Sequence, residues 1–290
     1  MSESVMRPPR PPRNIPRRLR RGAYLLPSLF TIGNMLLGFY AIVLGLRQEF
    51  RIAALLVFIA AILDTLDGRI ARMTGTESEF GKEYDSLADV VTFGAAPALL
   101  TYLWGLRPFD RDAWLIPLFY MVCAATRLAR FNVQTKVADS RYFVGLPVPA
   151  AAGTICSILF FAPDNHSGGE DLPVWMQGWV DPEVLRVWMQ VLVATALLLI
   201  GVLMVSTFRY ASGKKFDLRK RWSFRALIPF AAIVLVLYYL PYATFLTIAV
   251  VYTLSGPLSW LIGRLRGGSR PENPENPEDI APPPVPEAGA

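Results

Sequence analysis

Hydrophobic side chains in this chain gather into long runs, each closed off by charged residues. The runs fall at Leu25 to Leu46, Ile52 to Met73, Ser86 to Leu106, Trp114 to Arg130, Pro147 to Pro163, Val184 to Phe208, Ala226 to Leu240 and Tyr242 to Ile262. A bilayer core about 30 Å thick needs about 20 apolar residues in helical conformation, so each run predicts a membrane-crossing helix. Backbone amides inside lipid must be paired within their own segment. Continuous apolar runs achieve this as helices, whereas a barrel would show short stretches of alternating hydrophobicity. The expectation is therefore an all-α integral membrane protein, a polytopic helical bundle of about eight transmembrane helices. Many prolines fall near the expected helix ends, where they punctuate; Pro97, inside the third run, is an exception.

Composition strengthens this reading. The 290 residues are 53% hydrophobic and 18% charged, and the mean hydropathy is +0.36, which excludes an ordinary water-soluble monomer. Two cysteines, Cys123 and Cys156, lie within apolar runs and offer neither a disulfide framework nor a thiolate metal site. The single histidine, His166, excludes a mechanism that needs two imidazoles.

Charge sets the orientation. With the eight helices alternating in direction, 24 of the 29 Lys and Arg fall on one side, leaving Arg47, Arg51, Arg107, Arg111 and Arg186 on the other. The positive-inside rule makes the first side cytoplasmic and places both termini there. No cleavable signal is expected, because the first apolar run is long and lacks a small-residue cleavage site. Residues 1–22 form a basic Pro/Arg-rich arm that suits anionic lipid headgroups rather than nucleic acid. Residues 267–290 are rich in proline and acid and are expected to be disordered. The longest external loop, Asp164 to Asp181, carries His166 and two tryptophans suited to a membrane interface.

The candidate chemistry lies where the second run ends and the third begins. Asp64 and Asp67 are three residues apart, and Asp85 and Asp89 four apart, so on helices each pair shares a face and the two faces can converge. Carboxylates at close range in a low-dielectric setting repel one another unless something positive joins them. Hard divalent cations fit an all-oxygen donor set: Mg²⁺ or Mn²⁺, or Ca²⁺. Four carboxylates can hold two ions, and paired ions clamp phosphates in displacement reactions. Gly68 and Ala71 are small enough for a ligand to approach the backbone, and Arg72 can neutralise a phosphate. Two other readings stay open: a buried polar cluster that joins helices, and a cation path through a transporter. Thr31 and Asn34, three apart in the first run, share a face and either contact a ligand or pair between helices; contact is expected.

These residues resemble the signature of the CDP-alcohol phosphatidyltransferases, D-x2-D-G-x2-A-R-x8-G-x3-D-x3-D, at every fixed position from Asp64 to Asp89. The resemblance implies an integral membrane enzyme that moves a phosphatidyl group from a CDP-linked lipid to an alcohol and releases CMP. It also implies a six-helix core, here residues 23–212, with an additional hairpin over residues 213–266. Asp64, Asp67 and Asp85 would be metal ligands, and Asp89 a metal-adjacent general base. Gly68, Ala71, Arg72 and Gly81 would shape the nucleotide and diphosphate pocket, with Thr31 and Asn34 beside them.

Within the family, further segments resemble the serine-using bacterial membrane-type branch. They are Leu26-Pro27 with Thr31 and Asn34, Asp85 to Gly94 with Ala96-Pro97, Arg127-Leu-Ala-Arg130-Phe-Asn132, and Phe143 to Pro149. The implied substrates are CDP-diacylglycerol and L-serine. The implied setting is the cytoplasmic face of a bacterial inner membrane, with membrane lipids as partners, no nucleic acid, and a homodimer. Serine brings a carboxylate, which Arg127 or Arg130 can bind bidentately, with Asn132 a further candidate; both arginines also satisfy the charge rule for topology. Choline, glycerol 3-phosphate and inositol phosphate remain alternative acceptors.

Overall fold

The computed structural model describes residues 25–74, 78–108, 111–134, 142–162, 181–211 and 241–265. Among these residues there are seven long helices: α1 (Leu25–Leu46), α2 (Phe50–Thr74), α3 (Glu79–Leu106), α4 (Leu115–Gln134), α5 (Val148–Phe161), α6 (Pro182–Val205) and α7 (Pro241–Leu265). Their positions follow the apolar runs closely. Four of them are long and apolar enough to cross a membrane: α1, α3, α6 and α7. α5 is apolar but shorter, and α2 carries Arg51 in its first turn and Asp64, Asp67, Arg69 and Arg72 in its C-terminal half. The expected run Ala226 to Leu240, the arm 1–22, the tail 267–290 and residues 163–180 of the external loop lie outside the described residues.

The helices are apolar on nearly all sides, so hydrophobicity alone does not choose which faces meet. Small residues do. Ala41, Ala53, Ala54, Ala60, Ala96, Ala124, Ala151 and Ala152 are fully buried, letting backbones approach where bulky side chains would hold them apart. Leu36, Phe39, Leu199 and Val202 project outward, as lipid-facing positions do. Near the site α1 and α3 approach closely. A Cβ on Gly38 would stand 2.6 Å from the Thr92 Cα, so only glycine permits that crossing.

α3 is continuous but not uniform. Val90–Ala95 and Tyr102–Leu106 are π-helical, each widening the turn. The first π segment leads into Pro97, which has no N–H to donate to the carbonyl of Phe93. Tyr120 on α4 supplies the missing donor, its hydroxyl bonding to that oxygen at 3.0 Å. The same device recurs in α7, where Pro257 deprives the Thr253 carbonyl of its helical partner. There the Tyr210 hydroxyl donates at 3.0 Å, its ring lying against Gly256 where a side chain would collide.

The all-helical expectation needs one small addition. Residues Tyr142–Val144 (β1) and Arg209–Ala211 (β2) pair antiparallel, with Phe143 opposite Tyr210. Gly145 follows β1 at φ +76°, and a Cβ there would run into the Met204 and Ser206 carbonyls. This ribbon joins the chain entering α5 to the chain leaving α6.

Candidate active site

Three helices build the site, each contributing residues one turn apart. α2 presents Asp64 and Asp67, α3 presents Asp85 and Asp89, and α1 lays Thr31 and Asn34 against them. One carboxylate oxygen from each of Asp64, Asp85 and Asp89 lies within 4.8 Å of the others. Asp67 is outside that closest set but within electrostatic reach of Asp64 and Asp85. Its Oδ2 accepts a hydrogen bond of 2.8 Å from the Thr31 hydroxyl.

Thr31 and Asn34 therefore pair with the acids themselves. Asn34 Nδ2 donates to Asp89 Oδ1 at 3.2 Å, and the Thr92 hydroxyl donates to the Asn34 backbone carbonyl at 3.1 Å. What sequence reasoning missed is the clamp of Thr92 and Gly38, whose only signal was a polar residue and a glycine in apolar runs.

Whether the donor set suits a metal can be read from its unpaired atoms. Asp67 Oδ1 and Asp85 Oδ1 are buried and have no hydrogen-bond partner among the described residues. Buried acceptors left unpaired cost about 1–3 kcal/mol each. Two such oxygens beside further carboxylates, with no histidine or cysteine joining the cluster among the described residues, fit a hard cation bound through oxygen. The cluster can hold a metal ion.

The remaining expected site residues divide by what they touch. Gly68 is half-buried on α2, beside Asp67. Gly81 is in the first turn of α3, where its amide donates to the capping Ser78 hydroxyl at 3.0 Å. Ala71 and Arg72 belong to the last turns of α2, but their side chains lie outside the described residues. Asn132 donates to the Ser86 hydroxyl at 2.9 Å, linking α4 to α3 one residue beyond Asp85.

Arg127 and Arg130 on α4 differ sharply. Arg127 is 6% exposed, lies 5.5 Å from the centre of the Phe131 ring, and is within electrostatic reach of Asp89; its Nε is buried without a hydrogen-bond partner among the described residues. Arg130 donates from Nη1 to the Val205 carbonyl at 3.0 Å and from Nη2 to the Val144 and Ser206 carbonyls at 3.3 Å each. Its guanidinium ties α4 to the β1–β2 ribbon and the end of α6.

Fold and site together define a polytopic helical membrane protein with an acidic cluster, shared by α2 and α3, that could hold a cation. The chain belongs to the CDP-alcohol phosphatidyltransferase family, whose model matches residues 24–181. It is 34% identical over 238 residues to the CDP-diacylglycerol–serine O-phosphatidyltransferase of Helicobacter pylori strain J99, covering 82% of this chain and 92% of that protein. The enzyme of that name from Bacillus subtilis strain 168 is 38% identical over 136 residues, 47% of this chain and 75% of its own. The archaetidylserine synthase of Methanothermobacter thermautotrophicus is 40% identical over 134 residues, 46% of this chain and 56% of its own.

Proposed function

We propose that this protein transfers the phosphatidyl group of CDP-diacylglycerol to the hydroxyl of L-serine, forming phosphatidylserine and CMP. The observation that carries the reading is the meeting of Asp64, Asp85 and Asp89 within 4.8 Å, next to a buried arginine. The names of the relatives support serine as acceptor.

In this reading Asp64, Asp67, Asp85 and Asp89 hold the cation. A divalent ion bound there, Mg²⁺ or Mn²⁺ and one or two in number, would neutralise charge on the diphosphate as the transferred phosphorus reacts. Asp89, with Oδ1 occupied by Asn34, offers Oδ2 to the serine hydroxyl and takes its proton. The hydroxyl oxygen then forms a bond to the lipid-bearing phosphorus. The bond from that phosphorus to the oxygen bridging the two phosphates breaks, and CMP leaves with the electron pair. Arg127, whose Nε–H has no hydrogen-bond partner among the described residues, meets the serine carboxylate. Arg130, whose donors reach three backbone carbonyls, holds the helix that carries Arg127. Direct transfer suits a cluster that no cysteine or histidine joins among the described residues. The excess of Lys and Arg on one side supports a cytoplasmic-facing site in a bacterial inner membrane.

The test incubates purified full-length protein with CDP-diacylglycerol, Mg²⁺ or Mn²⁺, and labelled serine, choline or glycerol 3-phosphate. CMP and labelled phosphatidylserine are expected with serine. CMP with another acceptor in its place would remove the serine assignment; no CMP with any acceptor would remove transferase chemistry.

A further inference from the structure

Asn34 is 1% exposed and sits among charges, yet only half of its amide is used. Nδ2 donates to Asp89, which fixes which end of the amide is which, because the carbonyl end would face the carboxylate with like partial charge. Oδ1 is therefore a buried acceptor without a hydrogen-bond partner among the described residues. The side chain is held firmly: Thr92 donates to its backbone carbonyl, and Gly38 lets α1 press against α3 at that level.

We infer that Asn34 reads the amine of the acceptor: its Oδ1 accepts a hydrogen bond from the ammonium of a 2-amino alcohol whose hydroxyl rests on Asp89. The inference rests on the proposed transfer and deepens it by naming a group that chooses among acceptors. A hydroxyl delivered to Asp89 arrives beside the amide bonded to that same carboxylate. In a 2-amino alcohol the nitrogen is one carbon removed from the hydroxyl-bearing carbon, so it reaches the neighbouring carbonyl. Serine supplies N–H donors there. Choline carries a quaternary nitrogen with none, and glycerol 3-phosphate and inositol phosphate carry no nitrogen. Arg127 lies within electrostatic reach of Asp89 and takes the carboxylate, so one amino acid is gripped at three groups. A site that leaves a buried polar atom unpaired when the wrong ligand binds discriminates strongly against that ligand.

The test compares serine with 3-hydroxypropionate, which keeps the hydroxyl and carboxylate and lacks the amine. Serine is followed by its KM, and 3-hydroxypropionate by its constant as a competitive inhibitor, in the wild type, Asn34→Ala and Asn34→Ser. The serine hydroxyl in Asn34→Ser can still donate to Asp89 but is too short to reach an ammonium as well, and this variant carries the test if Asn34→Ala does not fold. The wild type is expected to prefer serine strongly. Both variants are expected to raise the serine KM about 10- to 100-fold and leave 3-hydroxypropionate binding within about threefold, with kcat better retained in Asn34→Ser. An unchanged preference, equal weakening of both ligands, or a rise in the KM for CDP-diacylglycerol in place of serine would overturn the inference while leaving the transfer intact. A wild type that makes CMP only with another acceptor would overturn the proposed function itself.

Discussion

Two arginines one turn apart on α4 meet opposite circumstances. Arg130 has its guanidinium spent on three carbonyl oxygens at the corner where β1, β2 and the end of α6 come together. Arg127 is buried with its Nε unpaired, near acids that carry unpaired oxygens of their own. Around the corner, polar groups freed by irregular backbone find partners. Around the acids, buried polar groups are left without them. Buried polar atoms are normally satisfied, so the region that breaks the rule is the one that awaits a ligand, and the region that obeys it is scaffold.

The comparison can be broken most directly at Asp89. Asp89→Asn is expected to keep the fold and lower turnover by a factor of about 10³, a loss read as CMP release with detergent-solubilised protein. Near wild-type rates would take the proton-accepting role away from this residue.

Next comes the arginine pair. Arg127→Ala is expected to raise the serine KM by about 10- to 100-fold with a small change in melting temperature. Arg130→Ala is expected to do the reverse, destabilising the protein by about 3 kcal/mol as three carbonyls lose charged donors, with serine KM changing less than in Arg127→Ala. Equal effects from the two variants would erase the distinction drawn here.

Metal addition gives a smaller but cleaner signal. Mg²⁺ or Mn²⁺ at about 100 times its dissociation constant should stabilise the wild type against thermal unfolding by about 2.7 kcal/mol. Asp85→Asn should respond much less. The smallest effect is expected far from the acids: Tyr210→Phe leaves the Thr253 carbonyl without its donor and should cost about 1–2 kcal/mol in thermal unfolding, with activity retained.

Much of the fold was legible because a bilayer imposes a length. The first run, Leu25 to Leu46, coincides with α1, and the runs for α4 to α7 fall within a few residues of the observed helices. The acids were legible because spacings of three and four on helices leave little freedom in where carboxylates point. Partner choice was harder to read. The spacing of Thr31 and Asn34 predicts a shared face but not that they donate to Asp67 and Asp89, because helix spacing tells which face a residue occupies and not what lies across from it. Arg127 and Arg130 looked alike in the sequence. Only the ribbon, formed by segments more than sixty positions apart, separates them. The π-helical turns of α3 left no mark on the hydrophobic pattern beyond Pro97.

The tyrosine and proline that meet across α3 and α4 form a lock and its key. Restoring an amide with Pro97→Ala would make the Tyr120 hydroxyl redundant, and removing that hydroxyl alone would strand the Phe93 carbonyl. The two positions should thus be strongly non-additive in a double-mutant cycle, so they are tolerated together or lost together. The pairing of Pro257 with Tyr210 repeats the dependence from strand β2, so in both places a change in one helix is repaired from a different element.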